Sequence, residues 1–193
     1  MTTPEPTPTS TDAPSTSTSE ASTTTTTPRP TTTIPPHSTL PVGPDPNRPD
    51  GGVQAALYDA LANEDAVIFG YGIVSAHSLP EINPLVSEAL LTHRGRREAA
   101  VSLASRNGWT TPLPAVGYQL PFAVNTPPDA ETLAVRMEED SVVAWRAVAE
   151  AAESEELRGV AVPAMTESGV LAARWRVELR ISPPTPAFPG GNE

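Results

Sequence analysis

A chain of 193 residues with a formal charge of −11 and no cysteine has no disulfide, no thiolate metal ligand and no cysteine nucleophile. It lacks the basic face that a nucleic-acid binder needs, and no window approaches the ~18 apolar residues of a membrane span. All 12 basic residues are arginine, which together with the abundant alanine points to a GC-rich genome.

The first 50 residues differ from the rest. From Met1 to Asp50 the chain is dominated by Thr, Ser and Pro, with runs at Thr23–Thr27 and Thr31–Thr33. Apolar groups are too sparse there to offset the ordering entropy of roughly 1–2 kcal/mol per residue. Residues 1–50 are therefore expected to be a disordered arm, and 51–182 a single domain with its own core. Residues 183–193 are expected to form an irregular tail. Met1-Thr-Thr-Pro-Glu-Pro has no basic stretch followed by an apolar core, so no signal peptide is expected. That implies a cytoplasmic protein, with export as the alternative if the true start lies upstream. In the exported case the Thr/Pro-rich arm would be a stalk that carries O-linked sugar.

The first predicted helix starts near Asp50, whose carboxylate can cap the opening turn. Leu57, Leu61, Glu64, Ile68, Tyr71 and Ser75 recur at steps of three and four and mark one face. Gly70 and Gly72 weaken that helix by about 1 kcal/mol each, and the pair suggests close packing of a neighbour. The helix ends near Leu79-Pro80. Asn83-Pro84 then predicts an N-cap with proline in the first turn. The second helix carries Val86, Leu90, His93, Arg97, Ala100 and Ala104 on one stripe and stops at Asn107-Gly108.

Between Trp109 and Asn125 four prolines and glycines break the pattern, while Tyr118, Leu120, Phe122 and Val124 alternate. A connection this long needs a reason. A crossover between parallel helices 2 and 3, packed on the bundle through its aromatic residues, supplies one. Thr126-Pro127-Pro128-Asp129 opens the third helix as a variant capping box, followed by Ala134, Glu138, Ser141, Trp145, Val148 and Ala152. Ser154 with Glu155 and Glu156 starts the fourth, whose stripe is Val160, Ala164, Glu167, Leu171 and Trp175. Pro163 should kink it or mark its true start. The fold class expected is all-α, a four-helix bundle with one long crossover.

Several segments, in this order, are similar to a family. They are Leu61-Ala-Asn-Glu64-Asp-Ala-Val-Ile-Phe-Gly-Tyr71-Gly, His93-Arg-Gly-Arg-Arg97-Glu and Tyr118-Gln-Leu-Pro-Phe. Met137-Glu138-Glu139-Asp, Ala172-Ala-Arg-Trp-Arg176 and Pro183-Pro-Thr-Pro-Ala-Phe-Pro189 complete the set. Over about Val53 to Pro189 the chain resembles an actinobacterial ferritin-like domain family of unknown function. The resemblance implies a ferritin-like four-helix fold and no established reaction.

Metal-binding members of the wider superfamily use a Glu from each of two helices and Glu-x-x-His from each of the other two. Glu64 and Glu138 match the single acids. The second helix offers Leu90-x-x-His93, without the acid, and the fourth Glu167-x-x-Val170, without the imidazole. Glu64, His93, Glu138 and Glu167 are thus the candidate metal ligands. Imidazole and carboxylate suit iron or manganese. Against this stands a charge-paired interior, because buried acids are costly unless neutralised and Arg97 shares the His93 stripe. No cofactor is expected on that reading. It favours a non-catalytic structural or interaction module with an unidentified protein partner or a second copy of itself. Iron- or manganese-dependent oxidoreductase or storage function is the alternative. Trp145 and Trp175 are expected as core anchors, Tyr71 as a packed side chain with its hydroxyl satisfied, and His77 at a helix end. His37 lies in the arm, where a lone histidine is not a ligand.

Overall fold

A computed structural model describes residues 45–187 and Gly191. The expected disorder of the arm falls on residues almost all outside that range, as does His37. Among the described residues there are four α-helices and one 3₁₀ turn, with no strand. The helices are α1 (Gly52–His77), α2 (Asn83–Arg106), α3 (Pro127–Ala151) and α4 (Glu155–Glu178). None is long and apolar enough to cross a membrane.

The directions of the helices follow from which residues meet. Asn63 reaches Ser141 while Tyr71 reaches Glu138, so α1 and α3 run antiparallel. Asp65 meets Arg97, and Val53 packs beside Leu103, so α1 and α2 are antiparallel as well. Helices α2 and α3 are therefore parallel, and residues 107–126 must travel the length of the bundle. They do so by packing Trp109 against Leu103 and Leu157 at one end and burying Val124 at the other. Midway, Tyr118 lies with its ring 5.4 Å from that of Phe69. The expected crossover is present.

Local chemistry explains most of the boundaries. Thr126 and Asp129 form the capping box, the Thr126 hydroxyl accepting from the Asp129 amide and the Asp129 carboxylate from the Thr126 amide. Ser154 accepts from the Leu157 amide. Gly108 takes a positive φ of 67° just past the end of α2.

Two expected caps differ. Helix α1 starts at Gly52 with no side-chain cap from Asp50. Asn83 is already helical, at φ −51° and ψ −36°, because the 3₁₀ turn Pro80–Ile82 delivers the chain straight into α2. Asn83 has no capping bond there. Pro163 neither starts nor ends α4, which runs through it from Glu155 to Glu178. Gly70 does meet a neighbour, since a Cβ there would strike the Met137 side chain, whereas Gly72 faces open space.

Two large apolar clusters stack along the bundle, with a smaller third of Leu103, Ala152 and Leu157. One contains Val67, Tyr71, Val74, Leu133, Leu171 and Trp175. The other contains Leu57, Leu61, Ala100, Trp145, Val148 and Ala164. Between them, on every helix, the sequence inserts a polar residue: Glu64 on α1, His93 on α2, Glu138 on α3 and Ser168 on α4, each fully buried.

Candidate functional site

Each member of this polar layer is held by the apolar residues either side of it. Glu64 follows Leu61 and precedes Val67, and Glu138 lies between Ala134 and Val142, while His93 follows Ala89 by one turn and precedes Ala100 by two, all buried. The helical period therefore aims two carboxylates and an imidazole into one dry space. The same periodicity corrects parts of the expected stripes. Val67 and Val74 are the buried residues of α1 where Ile68 and Ser75 were expected, and Ala89 is buried on α2 in place of Leu90.

His93 is the centre of the set. Its Nδ1 lies 2.7 Å from Oε2 of Glu64, and its Nε2 3.0 Å from Oε1 of Glu138. Burial alone pushes the His93 pKa down. The hydrogen bonds to Glu138 and Glu64, with the charges of both carboxylates, outweigh it and lift the value from 6.5 to about 9. At neutral pH the ring is an imidazolium that donates on both sides. Glu64 shows the complementary effect. Burial raises its pKa, but the His93 bond and charge, the Arg96 charge and the Trp145 bond together hold it below the usual value.

Further donors reach both carboxylates. Oε1 of Glu64 accepts from Trp145 Nε1 at 2.6 Å and from Arg96 Nη1 at 3.2 Å. Oε1 of Glu138 also accepts a short bond from the Tyr71 hydroxyl, which in turn accepts from Trp175 Nε1 at 2.9 Å. Burial, then the charge and bond of Glu138, hold the Tyr71 hydroxyl well above its ordinary pKa. A chain of hydrogen bonds thus runs Trp145–Glu64–His93–Glu138–Tyr71–Trp175, through all four helices. Two carboxylates face one imidazolium and one guanidinium, so the layer is charge-balanced. Two buried atoms in it have no hydrogen-bond partner, Oε2 of Glu138 and Nε of Arg96.

Of the sequence-predicted residues, Glu64, His93 and Glu138 come together. Glu167 does not join them. Its side chain is 55% exposed at the rim, and it reaches the layer only through Arg96, 3.1 Å away. The α4 residue facing inward is its neighbour Ser168, which accepts from Arg96 Nη1 at 2.9 Å. The guanidinium in the interior is Arg96, not Arg97. Arg97 turns to Asp65, so α1 and α2 hold two pairs in step, Glu64 with Arg96 and Asp65 with Arg97. Sequence reasoning missed Asp65, Ser168 and the two indole donors. The only signal for them was their step of one or four from residues already singled out.

A ligating imidazole must present a lone pair, and both His93 nitrogens are engaged by carboxylates. Among the described residues no three His, Asp or Glu side chains converge as a metal-holding group.

Residues 56–193 match a family described as a domain of unknown function (DUF4439). The chain is also similar to the crystal structure of a conserved hypothetical protein, rv2844, from Mycobacterium tuberculosis. The two are 52% identical with a TM-score of 0.64, over 65% of this chain and 96% of that one. No curated protein matches.

Proposed function

The chain belongs to this family of unknown function, DUF4439, and from that membership and the geometry of the polar layer we propose a non-catalytic role. It is a ferritin-like structural or interaction module whose interior, laid out as in metal-binding bundles, is closed by charge pairing. The supporting observation is His93, seated between Glu64 and Glu138 with both ring nitrogens committed and Arg96 compensating the second carboxylate. An imidazolium stands where a bundle of this kind would place a cation. A closed, charge-paired layer with its side chains fully buried leaves no room for substrate. That moves the protein's role to its outer faces and to an unidentified protein partner.

The competing reading is an iron- or manganese-binding oxidoreductase or storage protein. It draws on Oε2 of Glu138, a buried acceptor without a hydrogen-bond partner. Elemental analysis of protein purified without chelators separates the two. The charge-paired reading expects no stoichiometric iron or manganese. Metal at one equivalent that disappears in Glu64→Ala would overturn it. For compartment, the reading is cytoplasmic, with export the alternative suggested by the Thr/Pro-rich composition of residues 1–50. Intact mass of native material decides, since O-linked sugar adds mass to an exported form.

A further inference from the structure

The outward face of α4 carries Val162, Thr166, Val170, Ala173 and Val177, spaced by three and four residues. Val162 is 45% exposed, Val170 54% and Val177 59%. All of these residues but Val162 line a groove of about 490 Å³ with a mainly apolar lining, to which Pro184 and Thr185 also contribute. One rim is charged. Glu167 and Arg174 stand on the flank toward α2, where they bond Arg96 and Glu88, and both side chains keep much of their surface in water.

The rim has a sign pattern that fits the face to itself. Glu167 and Arg174 are one heptad apart, of opposite charge, and bracket Val170 and Leu171. We propose that this face docks a second copy of the chain, α4 antiparallel to α4, about a two-fold axis beside Val170 and Leu171. This deepens the interaction-module reading and rests on it, naming the partner as the chain itself.

The axis follows from the charges, and the apolar residues obey it independently. A helix rises about 1.5 Å per residue, so an axis midway between Glu167 and Arg174 sets each glutamate level with the other copy's arginine. Under the same operation Val170 of one copy falls between Val170 and Ala173 of the other. Thr166 falls between Ala173 and Val177, and Val177 between Val162 and Thr166. Side chains interdigitate rather than collide, which is the packing of a helix seam. The short side chains of Gly169 and Ala173 admit close approach. The two-fold operation also keeps Glu167 and Arg174 on the same flank of both helices, so the charges meet directly. Such an interface is isologous and closes at two copies.

The chain has no cysteine, so one introduced thiol reports on the geometry. In the full-length chain, Val170→Cys should form a covalent dimer under mild oxidation, because the axis passes beside it. Val143→Cys, 52% exposed on α3, should form no covalent dimer. Unmodified protein should elute at dimer mass by light scattering at about 0.1 mM, far above a micromolar dissociation constant. Val170→Asp should elute as a monomer with unchanged far-ultraviolet circular dichroism. A monomer at that concentration, equal cross-linking at Val143, or a dimer that survives Val170→Asp overturns the proposal. None of these results bears on metal content, so a failed dimer leaves the charge-paired interior standing. Stoichiometric metal overturns the interior reading without touching the dimer.

Discussion

Nδ1 of His93 lies 2.7 Å from Oε2 of Glu64, a hydrogen bond between α1 and α2 with both side chains fully buried. The pair makes stability depend on pH in a defined window. In the folded chain His93 holds its proton to about pH 9, against 6.5 ordinarily. Its contribution is therefore complete below pH 6.5, declines as pH rises, and is gone above about 9. The size is on the order of 3 kcal/mol, at about 1.4 kcal/mol per pH unit. Glu64 acts oppositely. Its pKa is lowered from 4.5, so its contribution is present above 4.5 and is lost as pH falls through the depressed value. Urea unfolding of the wild type should show stability falling between pH 6.5 and 9. His93→Gln should be less stable at pH 6 and flat across that window. A wild type as stable at pH 9.5 as at 6.5 contradicts the imidazolium.

The neighbouring arginines should separate cleanly on mutation. Arg96 has a side chain only 5% exposed and bonds Glu64, Glu167 and Ser168. Its removal leaves the layer one positive charge short, and breaking a buried pair in this way costs about 3–5 kcal/mol. Arg97 is 27% exposed and serves Asp65 alone. Arg97→Ala should cost less than that, because water reaches the gap it leaves, but more than a surface pair does, because Asp65 is only 6% exposed. Chemical denaturation of both variants at pH 7 measures the difference. Equal losses would place the interior charge on Arg97 after all.

The two α1 glycines should respond to different degrees. Gly70→Ala brings a methyl against the thioether end of Met137, a flexible group that can shift aside, so the helix-propensity gain is partly offset. Adding Met137→Ala to Gly70→Ala should destabilise, because it empties a buried site. Gly72→Ala meets nothing within 4 Å and removes a weak helix former, a gain of about 1 kcal/mol. Thermal unfolding of the three variants checks this, and a destabilised Gly72→Ala would be the contrary result.

The bundle and its crossover were legible because period and punctuation agreed. Thr126-Pro127-Pro128-Asp129 predicted a capping box that is present, and four breakers between residues 109 and 125 forced an irregular link that the parallel helices require. The site was legible in its middle, where Glu64, His93 and Glu138 each interrupt an apolar stripe. It blurred by one residue on α4 and in the choice of arginine. A helical stripe is ~100° wide or more, so positions three and four residues on from an anchor are equally good candidates. Which one turns inward depends on the neighbouring helix. Asp65 captures Arg97 and leaves the interior to Arg96. Glu167 stays at the rim, where its charge remains hydrated, while the smaller Ser168 fits inside. The donor role of the Trp145 and Trp175 indoles stayed hidden although both residues sit in the stripes, since a tryptophan there reads as bulk.

The crossover has one more effect. It divides the molecule into two hairpins, α1–α2 and α3–α4, and the charged layer is shared unequally between them. Glu64, Asp65, His93, Arg96 and Arg97 belong to the first, which alone carries a surplus cation. Glu138 belongs to the second, which alone holds a buried anion beside an apolar surface. Each fragment of a chain severed within residues 107–126 supplies what the other lacks, so the pair is built for mutual recognition by complementation.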